Sequence, residues 1–250
     1  ALTGVDCDRL KEERERGLTT DLGYTYLDLS DGNSVSIIDV PGHEKFIKNM
    51  LAGAGVIDNV LLVVAADEGA MPQTIEHFNI IDLLGVKNGI IVITKVDLSD
   101  KDLIRIVEDD VAELVRGTAL ENAPVVHTSA VTSEGIEELK QEIAKLVEKS
   151  IHRSEERPFR LPIDRVFKIH GVGTIVAGTA FSGKVKVGDR LELLPLRREV
   201  RVRGMQTHDE NVDLAKAGDR VAINLVGVDA EEIERGHVLS QPDYLEPTEN

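Results

Sequence analysis

Residues 34–45 read Ser-Val-Ser-Ile-Ile-Asp-Val-Pro-Gly-His-Glu-Lys: a short apolar run ends in Asp39, and a Pro-Gly turn follows at once. A carboxylate and an unhindered Gly42 amide delivered by one turn suit a Mg²⁺–phosphate complex. The acid holds the metal's water shell, and the backbone N–H approaches a phosphate oxygen. An ordinary strand–turn–helix with a capped start has the same pattern. Thr94-Lys95-Val96-Asp97 follows a second apolar run. A carboxylate there can accept from both the ring N–H and the exocyclic amine of guanine, a donor pair that adenine lacks, while a Lys stem lies across the purine face. Thr128-Ser129-Ala130 follows a third apolar segment and offers backbone amides to a purine carbonyl oxygen. Arg16-Gly17-Leu18-Thr19 can bring a Thr hydroxyl to Mg²⁺ and an amide to a terminal phosphate, or can be a solvated loop.

Such groups need elements to aim them. Tyr24–Leu29 and Ser34–Val40 are strand-like and flank Asp31-Gly32, a hairpin signal, so they pair antiparallel. His43–Ala54 reads as a helix that runs out at Gly53 and Gly55. Asn59–Ala66 and Gly89–Thr94 are continuous apolar runs, the mark of strands buried on both faces; Val125-Val126 is a shorter one. Helical patterns cover Pro72–Leu84, Leu103–Leu120 and Ile136–Val147. This alternation predicts a parallel sheet covered on both sides, with ligands at the strand C-terminal ends, where Asp39, Asp67, Lys95 and Ser129 emerge. Residues 150–158 are charged and end in Pro. Beyond them the period changes to two. Strands are expected over Leu161–Ile169, Gly173–Phe181, Arg190–Leu194, Val200–Gln206, Arg220–Leu225 and Val238-Leu239, the pattern of an all-β barrel or sandwich. The expected boundaries are a nucleotide-binding domain over 1–152, a linker over 153–158, a β-barrel domain over 159–243 and the start of another linker over 244–250.

Composition narrows the class. With 42% apolar residues in 250, packed cores are affordable. The single Cys7 excludes an internal disulfide and points to a reducing, cytoplasmic setting. No apolar run approaches the ~20 residues of a membrane span, and no signal peptide is visible. A net charge of −16 argues against general adhesion to nucleic acid, but nearly all of the acidic excess lies in residues 1–157. The second part can therefore meet a polyanion through local patches.

The motifs and their order resemble the translational GTPases, and among them the selenocysteine-specific elongation factors. The residues carrying the resemblance are Asp6-x-Asp8-Arg9-Leu10-x-Glu12-Glu13-x-x-Arg16-Gly17-x-Thr19-x-Asp21-Leu22-Gly23, Asp39-Val-Pro-Gly-His-Glu-Lys-Phe46 and Asn49-Met-Leu-Ala-Gly53. Asp164-Arg165, Gly171-x-Gly173-Thr174 and Gly178-Thr179 are similar to the family's second domain. Thr94 stands where elongation factor Tu has Asn, a departure that suits the selenocysteine factors. The resemblance implies an α/β P-loop-type G domain with a mostly parallel sheet, followed by an all-β barrel. No Gly-x-x-x-x-Gly-Lys-[Ser/Thr] occurs in the chain, so the first strand and phosphate loop are expected upstream of Ala1. A third domain and the modules that read an mRNA hairpin are expected beyond Asn250.

The implied activity is hydrolysis of GTP to GDP and phosphate, stimulated by the ribosome, in a factor that delivers selenocysteinyl-tRNA and uses Mg²⁺. Thr19 and Asp39 would serve the metal, Gly42 the γ-phosphate, and Thr94, Lys95, Asp97, Ser129 and Ala130 the guanine. His43 would position the attacking water, with Leu18 as one side of an apolar gate. Asp164, Arg165 and Arg220 resemble the pocket for the aminoacyl group. A selenolate with an α-amino group wants two cations and one carboxylate, and a neutral seryl tip would leave an Arg unpaired, at a cost of roughly 1–3 kcal/mol or more. Arg201 and Arg203, in the densest basic cluster, fit a tRNA phosphate contact or a solvated strand edge. Two other readings stay open: a related GTPase carrying a different aminoacyl-tRNA, and a nucleotide-free RNA- or protein-binding module.

Overall fold

The computed structural model describes residues 1–5, 19, 21–29, 32, 34–42, 57–149, 154–208 and 210–248. These form two compact units, Ala1–Ile151 and His152–Asn250. The expected helix at 43–54 and the residues Leu18 and His43 lie outside the described residues.

In the first unit, strands β1 (Gly23–Asp28) and β2 (Ser34–Asp39) form an antiparallel hairpin. Strands β3 (Asn59–Ala65), β4 (Asn88–Thr94) and β5 (Val125–His127) form a parallel sheet in the order β3-β4-β5. Three helices follow the strands: α1 (Pro72–Leu83), α2 (Lys101–Val115) and α3 (Ile136–Lys149). β4 has a neighbour on both sides and layers on both faces, which is why its sequence is an unbroken apolar run. Ile91 and Ile93 pack with Leu62, Val64, Phe78 of α1 and Val107, Val111 and Val115 of α2. Ile90 and Val92 turn to the other face, where Val126, Leu27, Leu29 and Leu139 and Ile143 of α3 meet them.

α2 starts where Asp100 accepts a hydrogen bond from the Leu103 N–H at 2.9 Å, an N-cap that satisfies one of the helix's orphan donors. It stops at Val115, five residues short of the predicted Leu120, because Gly117 takes a φ of +76° and Thr118 turns its hydroxyl back to the Val115 carbonyl at 2.6 Å.

The second unit is all-β. Its strands are β6 (Arg160–Pro162), β7 (Arg165–Ile169), β8 (Gly173–Thr179), β9 (Lys184–Lys186), β10 (Arg190–Leu194), β11 (Arg198–Thr207), β12 (Glu210–Val212), β13 (Leu214–Lys216), β14 (Arg220–Val226) and β15 (Val238–Ser240). The main sheet runs β6-β15-β10-β11-β14-β8-β7 and curls around Leu161, Val176, Leu193, Val202, Ile223 and Leu239; β9 and β13 form a separate ribbon. The curl brings β6 back against β8. Gly178 there lacks a side chain for a steric reason, since a Cβ would come within 2.1 Å of the Pro162 carbonyl.

The predicted strand 161–169 is two strands. β6 pairs with β15 and β7 with β8, and the chain changes partners at Ile163-Asp164. Residues 154–158, read from sequence as linker, are bound to this unit. The Gly183 N–H donates to the Ser154 carbonyl at 2.9 Å, and the Ser182 hydroxyl to the Pro158 carbonyl at 2.8 Å.

Candidate functional site

The loops after β3, β4 and β5 are stitched together by their backbones. Ala66 N–H donates to the Thr94 carbonyl at 2.8 Å, Thr128 N–H to Ile93 at 2.8 Å and Val96 N–H to Thr128 at 3.3 Å. Between these stitches the chain turns sharply. Lys95 adopts φ +57°, ψ 32°, the left-handed region that costs a non-glycine residue, and Val96–Leu98 coil into a single 3₁₀ turn. Val96 is buried and anchors the turn, which leaves Lys95 and Asp97 exposed at the C-terminal end of the sheet. The Thr94 hydroxyl faces β3 instead, donating to the Val64 carbonyl at 3.4 Å.

The Lys95 ammonium lies 3.2 Å from Asp67 and 3.3 Å from Glu68. Hydrogen bonds to these two carboxylates, Asp67 first, hold its pKa above the ordinary lysine value. The neighbouring loop divides its roles sharply. Ser129 is fully buried, and its hydroxyl accepts from the N–H groups of Val131 at 3.2 Å and Thr132 at 3.1 Å. Its own N–H donates to Glu134 at 3.0 Å, and that of Thr128 is spent on β4. Ala130 is exposed, and among the described hydrogen bonds its N–H has no acceptor. Of the amides at 128–130, this is the donor available to a purine oxygen. Ser129 shapes the loop and does not itself reach out.

Gly135 closes that loop with φ +68°, and a Cβ on it would fall 1.8 Å from the His127 carbonyl. Gly135→Ala is expected to displace the 129–135 loop and destabilise the first unit by about 2 kcal/mol or more, from overpacking and the left-handed backbone together. Thermal unfolding read by the helical far-UV circular dichroism band checks this, since α1–α3 all belong to that unit. An unchanged midpoint would contradict the tight approach.

β2 has β1 as its strand partner among the described strands, and Val40 packs against Ile81 and Val86, near the end of the sheet where β3 and β4 begin. Asp39 and Gly42 are exposed, Thr19 is half-buried, and a Cβ at Gly42 would meet open space. The hairpin's own ladder does not register β2 against the parallel strands.

In the second unit, Asp164 and Arg220 form a two-pronged ion pair at 2.6 and 2.9 Å, their side chains 9% and 16% exposed. Arg165 pairs across the sheet with Ala177, and Arg220 with Thr179. Ala177 and Thr179 are two apart on β8, so both guanidinium stems leave the same face. Phe167 and Ile169 follow Arg165 at alternate positions and are 42% and 47% exposed, an apolar strip beside the charged group. Alternation from Arg165 was its sequence signal, but exposure cannot be read from alternation. Arg201 is exposed and in register with Val226, whereas Arg203 falls where the β11–β14 register slips, and its guanidinium donates to the Val172 carbonyl at 3.3 Å. The bulge commits Arg203 to the β7–β8 turn.

Among the described residues, no helix is long and apolar enough to cross a membrane. The elongation factor Tu GTP-binding domain model matches residues 2–149, and the elongation factor Tu domain 2 model residues 173–240. The selenocysteine-specific elongation factor of Desulfomicrobium baculatum is 48% identical over 248 residues, 99% of this chain and 39% of that protein. That of Methanocaldococcus jannaschii is 40% identical, over 94% of this chain and 50% of that protein. A crystal structure of a bacterial selenocysteine-specific elongation factor superposes with a TM-score of 0.92 at 43% identity, covering 96% of this chain and 41% of that one. Translation elongation factor SelB of Methanococcus maripaludis, in complex with the GTP analogue GppNHp, gives 0.84 at 38% identity, covering 90% and 50%. The chain thus spans half or less of these relatives. With its first unit matched almost end to end and the second-domain match following in order, the chain belongs to the elongation factor Tu GTP-binding domain family.

Proposed function

We propose that this chain is the nucleotide-binding and cargo-binding part of a translation elongation factor that binds GTP, carries selenocysteinyl-tRNA to the ribosome and hydrolyses GTP there. The observation that carries the reading is the stitched pair of loops after β4 and β5. It presents one exposed carboxylate at Asp97, one exposed Lys stem at Lys95 and one uncommitted amide at Ala130. That set matches the two donors, the flat face and the carbonyl oxygen of guanine. Thr19 and Asp39 would serve Mg²⁺ together with phosphate oxygens, as this ion prefers few protein ligands, and Gly42 would donate to the terminal phosphate. Bound Mg²⁺ would neutralise charge developing on the phosphates. His43 would position the attacking water, with Leu18 as one side of an apolar gate.

The cargo reading rests on Asp164, Arg165 and Arg220. A selenolate would accept from the Arg165 and Arg220 guanidinium groups while the α-amino group donates to Asp164, whereas a seryl hydroxyl would give neither arginine a charged partner. Phe167 and Ile169 supply adjoining apolar surface, and Arg201 would meet tRNA phosphate. The mRNA hairpin would be read by parts of the factor outside this chain.

The test is a chimera in which this chain replaces the matching segment of the Desulfomicrobium baculatum factor. Guanine nucleotides should bind in preference to adenine nucleotides, and the selenocysteinyl ester should be protected from hydrolysis more than the seryl ester. Arg165→Ala should lose the first protection selectively. Equal losses for both esters would sink the selenolate pocket, and equal binding of GTP and ATP would sink the base site.

A further inference from the structure

We infer that Asp67 and Glu68 are positioning residues for the base site: by gripping the Lys95 ammonium they hold the Lys95 stem as a preformed wall for a purine. The inference rests on the guanine reading above and assigns it two residues that no nucleotide motif contains. Adjacent residues in extended chain point to opposite sides, so a single ammonium normally meets one of them. Here the chain leaves β3 in a tight turn. The N–H groups of Glu68 and Gly69 both return to the Ala65 carbonyl, at 3.2 and 2.8 Å, and Gly69 takes φ +72°. That turn swings both carboxylates to the same side, 3.2 and 3.3 Å from Lys95 Nζ.

All three side chains are substantially exposed, at 44%, 31% and 58% for Lys95, Asp67 and Glu68. Exposed pairs of this kind contribute little to stability. Their consequence is geometric. The Lys95 backbone is fixed in a left-handed conformation between two inter-loop hydrogen bonds, and its far end is fixed by two acids. A flexible side chain secured at both ends has given up its rotamer freedom before the ligand arrives, so the ligand is spared that cost.

Fluorescent GDP titrated with Mg²⁺ into the chimera described above tests this as a cycle. Asp67→Asn with Glu68→Gln should weaken GDP binding about three- to tenfold, chiefly through faster release. The same pair of substitutions should have no effect in a Lys95→Met background, and Asp67→Glu should retain most of the affinity. Equal losses in both backgrounds would show that the acids act through the fold and would overturn the inference. Unchanged or tighter binding with Lys95 present would do the same, the acids then being bystanders or competitors. A chimera carrying the unsubstituted segment that binds GDP no better than ADP would overturn the guanine reading and this inference with it.

Discussion

Asp97→Asn is expected to exchange guanine for xanthine as the preferred base. The carboxylate can accept from two adjacent donors on guanine. An amide keeps one acceptor and turns its NH₂ toward guanine's own amine, so one hydrogen bond is lost and a donor faces a donor. Xanthine carries an oxygen where guanine has that amine and accepts from the new NH₂. Hydrogen bonds to a charged partner contribute about 1.5–3 kcal/mol each. The preference between GDP and xanthosine diphosphate should therefore move by about 10²- to 10³-fold, counting the loss on one base and the gain on the other. Competition between the two nucleotides for fluorescent GDP measures it. Asp97 is exposed and lies on a turn held by the buried Val96, so the substitution should leave stability unchanged. A ratio that does not move would mean that Asp97 does not face the base.

The second large effect concerns the other unit. Asp164→Ala is expected to destabilise the barrel by about 3 kcal/mol, because it removes both prongs of the ion pair from an Arg220 side chain only 16% exposed. Arg220→Met should cost a similar amount by stranding the carboxylate. The double variant Asp164→Leu/Arg220→Met should recover much of the loss, since a packed apolar pair can replace an ion pair with little net change. Hydrogen exchange of the Val221 and Ile223 amides in β14 reports the barrel free of the first unit. Additive losses in the double variant would mean that the two side chains do not act as a pair. The recovered variant separates structure from function: stability returns, while selectivity for the selenocysteinyl ester does not.

What could be read without coordinates was local. Asp39, Lys95-x-Asp97 and Ser129-Ala130 were assigned to strand ends because β4's unbroken apolar run and the turn residues after it are contiguous properties of the chain. The barrel was legible for the same reason, through its period of two and recurrent glycine turns. Family resemblance extended these local patterns to roles. Boundaries were weaker where one residue overrode a pattern. Gly117 ended α2 before its apolar spacing did, and the partner change at Asp164 split a stretch read as a single strand from Leu161 to Ile169.

The sequence by itself therefore determined the order of elements and which residues carry chemistry at their ends, since hydrophobic period and turn propensity act over a few residues. Only the tertiary structure decided which polar groups were already spent. Asp164 and Arg220, 56 positions apart, meet because β7 and β14 flank β8. The amides of Thr128 and Ser129 are taken by Ile93 and Glu134, and among the described residues the Ala130 amide meets no acceptor. Lys95 is gripped by two acids from another loop because β3 and β4 run parallel and in register, ending at Ala65 and Thr94. A hydrogen-bonding group can be counted from sequence, but its partner is set by sheet register, and register is a property of strands far apart in the chain.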